Sequence, residues 1–198
     1  MVQKESVMSD SRAAILSRIR DLNLEKKEHP VIPDFEKNGD VKSQFINSLV
    51  ASHVSVIEGN LDTSLFEQIT SKNDIIYSNV DELSSLSTIQ KDQLEDQLTL
   101  SSLDHVIVRG EIGVGENGAI WLPEINIEKR VMSFITLHLI VIVSKNDLVH
   151  DMHQAYSKIK ELPGFGLFVA GPSKTADIEQ SLVIGAHGPK RMTVLLTD

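Results

Sequence analysis

The chain has 198 residues, 41% hydrophobic and 24% charged, a globular composition that excludes a disordered or fibrous polymer. Its formal charge of −9 argues against a nucleic-acid surface, which needs several Lys or Arg to displace phosphate counterions. There is no cysteine, so thiolate catalysis and cysteine-ligated iron–sulfur clusters are excluded for these residues, and any redox centre belongs to a partner.

A chain of this length buries about 70% of its unfolded surface and needs no disulfide staple. Ser9-Asp10 reads as an N-cap, followed by Ala13, Ala14, Ile15, Ile19 and Leu22 at helical spacing. Residues 25–40 hold Pro30, Pro33 and Gly39 and read as an extended arm. The expected organisation is therefore a helix and arm over residues 1–40 and one α/β domain over residues 41–198. The polar N-terminus shows no secretory signal, and the cytoplasm is the expected location.

From Val41 the pattern alternates. Residues 41–51 read as helix, 53–57 as strand, 61–70 as helix, 74–78 as strand and 94–100 as a polar helical piece. Val106-Ile107-Val108 is a buried strand, and Ala119-Ile120-Trp121-Leu122 is another, ended by Pro123. Residues 137–143 form the clearest strand, an apolar run of the kind buried on both faces and far too short to span a bilayer. Then follow a helix over 147–160, a strand over 166–170, a helix over 176–184 and a strand over 192–196. This alternation predicts an α/β fold with a mostly parallel sheet flanked by helices. Ligands in such sheets sit at the carboxyl ends of strands, and the segments expected there are 110–118, 171–179 and 185–189.

Gly171-Pro172-Ser173-Lys174-Thr175-Ala176-Asp177-Ile178-Glu179 follows a strand and opens the expected helix. One reading is an anion pocket, with Lys174 as cation, Ser173 or Thr175 as donor and the helix N-terminus behind them. The other, which physics alone favours, is an ordinary cap with Asp177 and Glu179 complementing the helix dipole. In Gly185-Ala186-His187-Gly188-Pro189-Lys190-Arg191 the glycines permit a tight turn, and His187 is either an acid, base or ligand contact or a solvated loop residue. In Gly113-Val114-Gly115-Glu116-Asn117-Gly118, Glu116 is either a nucleophile or the residue before a type I′ Asn-Gly hairpin turn, and the hairpin is preferred. His138 inside the strongest strand reads most simply as a hydrogen-bonded core residue. His150 and His153 share one helix face but lack a third ligand, so no metal site is expected.

The run from Gly171 through Glu179, then Leu182-Val183-Ile184-Gly185-Ala186-His187-Gly188-Pro189, resembles the C-terminal signature of the LUD-domain (lactate-utilization) family. Glu116-Asn117-Gly118-Ala119 resembles its Glu-Thr-Gly turn, and Leu137-His138-Leu139-Ile140-Val141-Ile142-Val143 its His-containing strand, so the likeness covers most of the chain. Length and lack of cysteine are similar to the C-type members, since the A and B components carry cysteine motifs. The resemblance implies a bacterial protein with a fold like the sugar-phosphate isomerase and CoA-transferase group. It also implies a non-redox accessory role in oxidising lactate to pyruvate, beside iron–sulfur subunits that hold the clusters. A small anionic ligand would be bound by His138, Ser173, Lys174, Thr175, Asp177 and His187. Two departures stand out: Asn117 replaces Thr, and no proline precedes His138. With Asn117 the turn looks like the Ser-Glu-Asn-Gly motif of class I CoA-transferases. That likeness implies the alternative, a stand-alone acyl-CoA or phosphorylated-carboxylate enzyme with Glu116 as nucleophile.

Overall fold

The computed structural model describes residues 4–22, 27–28, 30–31, 33, 39–160, 164–178 and 181–198; the side chains of 4–10, 175–178 and 181–182 lie outside the described residues, as does most of the arm expected over 25–40. The chain forms two compact units, Met1–Glu36 and Lys37–Asp198. The first contains helix α1 (Lys4–Asp21), which runs through Ser9 and Asp10 instead of starting there. Capping side chains mark a start only where the preceding residues cannot continue a helix, and Lys4 to Met8 hold no Gly or Pro.

The second unit begins with α2 (Val41–Ala51), β1 (Ser55–Glu58), α3 (Thr63–Glu67), β2 (Ile76–Ser78) and α4 (Gln97–Ser101). It continues with β3 (His105–Arg109), β4 (Ile112–Val114), β5 (Ile120–Pro123), α5 (Met132–Ile135) and β6 (His138–Ser144). The last elements are β7 (Leu148–Val149), α6 (Met152–Lys158), β8 (Gly166–Val169), β9 (Lys174–Ile178), β10 (Ser181–Ile184) and β11 (Arg191–Thr197). Asp40 caps α2 by accepting from the Ser43 N–H at 2.9 Å and the Ser43 hydroxyl at 2.8 Å.

Five strands form a parallel sheet in the order β1-β11-β6-β3-β2. β6 and β11 lie inside it, and for that reason they read as near-continuous apolar runs. The period of two sorts their side chains between two cores. Leu139, Val141 and Val143 of β6 pack with Phe45 and Leu49 of α2 and with Ile120 and Leu122 of β5. Ile140 and Ile142 face Phe66 of α3 and Leu83 on the opposite side.

A second sheet, β7-β4-β5-β8, is mostly antiparallel and is not separated from the first by the sequence reading. Its inner face shares the core of α2. Its outer face carries Trp121 and Val114 under α6, where Ala155 is fully buried. The expected helix over 147–160 is shortened to α6, because Leu148 and Val149 extend the sheet as β7 and Asp151 then caps the helix. His150 thus precedes the helix and shares no helical face with His153. Among the described residues no group of three His, Cys, Asp or Glu is placed to hold a metal. No described helix is long and apolar enough to cross a membrane.

The helix expected over 176–184 is overturned. β9 and β10 pair as an antiparallel hairpin, with Lys174 opposite Ile184 and Thr175 opposite Val183. Thr175, Ile178, Val183 and Ile184 are β-branched, and cross-strand pairing decides in favour of the extended form. Hence no helix N-terminus stands behind Ser173 and Lys174.

Candidate functional site

The site is built at the amino ends of the parallel strands, not at the carboxyl ends expected from the topology. His138 is the first residue of β6 and lies in register with His105, the first of β3, and with Arg191, the first of β11. Alternation puts His105, His138 and Thr193 on the sheet face that carries Ile107, Ile140 and Leu195. All three are buried. His105 Nε2 lies 2.8 Å from Asp74 Oδ2, and His138 Nε2 lies 2.8 Å from Thr193 Oγ1. The two rings are neighbours, with centroids 5.1 Å apart and planes tilted by 57°.

A carboxylate only accepts hydrogen bonds, so the proton of the Asp74–His105 contact is on His105 Nε2. The backbone N–H of Ser71 at 2.7 Å and then His105 hold the Asp74 carboxyl below its ordinary range. His138 is lowered to about 4, first by burial and then by the neighbouring His105 and Arg191. The Nδ1 atoms of His105 and His138 are both buried, with no hydrogen-bond partner among the described residues.

Above His138 opens a cavity of about 440 Å³. Ser55 of β1, Arg191 and Thr193 of β11, and His53 from the end of α2 line it, with Lys190 beside them. Pro172 and Ile184 belong to its lining as well, so the glycine-rich segments around 171–173 and 184–190 meet here. Two permanent cations and no carboxylate appear among the described lining residues. In a chain of net charge −9, this is a local field of the opposite sign.

Ser173 joins those two segments. Its N–H donates to the Pro189 carbonyl at 2.9 Å, its carbonyl accepts from the Gly185 N–H at 2.9 Å, and its hydroxyl accepts from the His187 N–H at 3.3 Å. His187 lines an adjoining groove with Phe134 and Leu137. Lys174 is exposed on β9, away from the cavity lining. Thr175 and Asp177 lie on the same strand, with side chains outside the described residues, and Glu179 is outside them altogether.

Glu116 occupies the loop between β4 and β5, where the Gly118 N–H bonds the Val114 carbonyl at 2.9 Å. The expected hairpin is present, but its turn is not type I′. Gly118 has φ +70°, whereas among the described residues His53 is the one non-glycine with positive φ. A four-residue loop needs only one left-handed position. The Glu116 carboxylate is exposed and accepts the Met152 N–H at 3.0 Å, at the start of α6. It does not line the cavity.

Of the residues singled out in the sequence, the cavity lining therefore contains His138, and Ser173 shapes its rim. The sequence reading missed Asp74, His105, Thr193, His53, Lys190 and Arg191 as site residues. One signal for His105 was available: His105-Val106-Ile107-Val108 and His138-Leu139-Ile140-Val141 are two histidines that each open an apolar strand.

The comparisons agree with this architecture. A crystal structure of a DUF162 family protein from Deinococcus radiodurans superposes with a TM-score of 0.63 over 80% of this chain and 96% of that one; at 13% identity it speaks for the fold alone. "Lactate utilization protein C" of Shouchella clausii is 37% identical over 98 residues, which cover 46% of this chain and 43% of that protein. The protein of the same name from Halalkalibacterium halodurans is 26% identical over 228 aligned positions, covering 100% of this chain and 99% of the relative. The chain thus spans under half of the first relative and nearly all of the second. The model of the LUD domain matches residues 23–197, and on that match the chain belongs to the LUD domain family.

Proposed function

We propose that this protein is a component of a lactate-utilization system and that its cavity binds a small anionic metabolite. The name "Lactate utilization protein C" borne by relatives such as the one aligned along the whole chain supports the lactate role. The anion reading is carried by one observation: Lys190 and Arg191 line a cavity whose described lining holds no carboxylate. A cavity of about 440 Å³ is of the size that small-molecule sites take, with room for more than three carbons. Because the chain has no cysteine, the electrons of lactate oxidation would pass through iron–sulfur partner subunits, with this chain as a non-redox accessory member in the cytoplasm.

A host strain lacking the gene, grown on L-lactate, provides the test. Failure to grow, restored by the wild-type chain and not by a folded Lys190→Ala/Arg191→Ala variant, is the expected result. Normal growth of the deletion strain would remove the lactate role, and full rescue by the double variant would remove the cavity's part in it. Affinity capture from lactate-grown cells under anaerobic conditions should recover cysteine-rich iron–sulfur proteins. An empty capture would remove the accessory role.

A further inference from the structure

Building on the anion reading of the cavity, we propose that the cavity takes up its anion together with one proton, which His138 carries, with His105 and Asp74 as positioning residues behind it. Four polar side chains cross the sheet in the order Asp74, His105, His138, Thr193, from the β2 edge towards β11. Hydrogen bonds of 2.8 Å close both ends, and the two imidazoles stand ring against ring in the middle. Nothing in the cores requires such a row: the next positions on the same face are Ile107, Ile140 and Leu195.

In the free protein His138 is neutral. Burial, then the neighbouring His105 and Arg191, hold its proton affinity down, at a pKa of about 4. The charged and titratable groups around it are His105 on β3, Asp74 before β2, Arg191 on β11, Lys190 preceding it and His53 after α2. Asp104, also nearby in sequence to His105, spends its carboxylate on the Ile75 N–H at 2.8 Å. An anion seated between Lys190 and Arg191 cancels their field and sets a negative charge above the ring. Asp74 holds the His105 ring in place beside it through their 2.8 Å contact. Protonated, His138 donates from Nε2 to Thr193, which lines the cavity, and carries its second hydrogen on the buried Nδ1. The proton comes from solvent, and no covalent bond between heavy atoms changes.

Calorimetry of the full chain tests this, with L-lactate, pyruvate and sulfate as probes, all ionised at about pH 6. The titrations run at that pH in buffers of differing ionisation enthalpy. The expected slope is about one proton taken up per anion, with affinity falling about tenfold from about pH 6 to 7. His138→Gln should bind with heats independent of buffer and with affinity flat across that range. His105→Gln and Asp74→Asn should lower the uptake to about half or less while keeping the wild-type melting profile. Nitrogen NMR of the imidazoles should show His138 becoming imidazolium when the anion is added. An anion that binds without buffer dependence, or an uptake unchanged in His138→Gln, overturns the proposal. If none of the three anions binds the folded chain, the anion reading itself falls. Should His138→Gln fail to fold, the wild-type buffer series and the imidazole spectra still separate proton uptake from its absence.

Discussion

His53 closes α2 at φ +65°, in the left-handed region where helices most often place glycine. Its N–H bonds the Val50 carbonyl at 2.9 Å, and the Val54 N–H reaches back to Leu49 at 3.0 Å. Keeping a side chain in that conformation costs about 1 kcal/mol, and His53 also lines the cavity. His53→Gly is therefore expected to raise stability by about 1 kcal/mol in urea denaturation and to weaken anion binding. A destabilised variant would show that the imidazole is held by contacts worth more than the strain. His138 makes a prediction in pH. Unfolded it titrates at 6.5, and folded at about 4, so between those values the unfolded chain binds more protons. Its contribution is complete above pH 6.5 and is lost as pH falls through about 4, at most roughly 3 kcal/mol. Thermal melts across that window should slope accordingly and flatten in His138→Gln. A wild-type melting temperature constant across the window would contradict the assignment.

Elements succeed or fail by what packs against them. α2 matches its sequence reading at both ends because Asp40 caps it and Phe45 and Leu49 supply one apolar face. Gly113 lies where β4 passes between α2 and β7: a Cβ there would stand 2.5 Å from Leu148 Cδ2 and 2.9 Å from Phe45 Cζ. Gly113→Ala should cost about 1–3 kcal/mol by overpacking, read as a lower urea midpoint with an unchanged slope. A neutral effect would mean that the two sheets separate more easily than their shared core implies. β9 and β10 show the reverse case. Residues 176–184 carry apolar positions that suit a helix about as well as a strand, and Asp177 and Glu179 imitate the acidic first turn of a helix. Only the pairing of Lys174 with Ile184 and Thr175 with Val183 settles the question. The loop at Glu116 is intermediate: Asn117-Gly118 announces a hairpin, while the turn geometry follows from α2, whose Ser48 hydroxyl donates to the Gly115 carbonyl at 2.6 Å.

At the scale of the molecule, the last strand is the keystone of the sheet. β11 lies between β1 and β6, pairing with β6 from Arg191 to Thr197, and supplies Val194 and Leu196 to the main core. Removing residues 191–198 should leave a chain that is protease-sensitive and lacks a cooperative melt; a cooperative melt in that truncation would show that β1 can dock directly on β6. The same central strand brings Arg191 over His138, so the site completes only when the chain's end has folded in. By itself the sequence determined the class of fold. Buried strands are apolar on both faces, α2 is amphipathic, and the absence of cysteine excludes thiolate chemistry, all of which are properties of residues near each other along the chain. The LUD-type signature was legible for the same reason, as a continuous run. The tertiary structure decided what lies across the sheet from what: that His105 and His138 share a row, that Asp74 and Thr193 close its ends, and that Lys190 and Arg191 face the row from above. Register between strands distant in sequence sets those neighbours, and hydrophobic pattern fixes each strand's buried face without naming its partners.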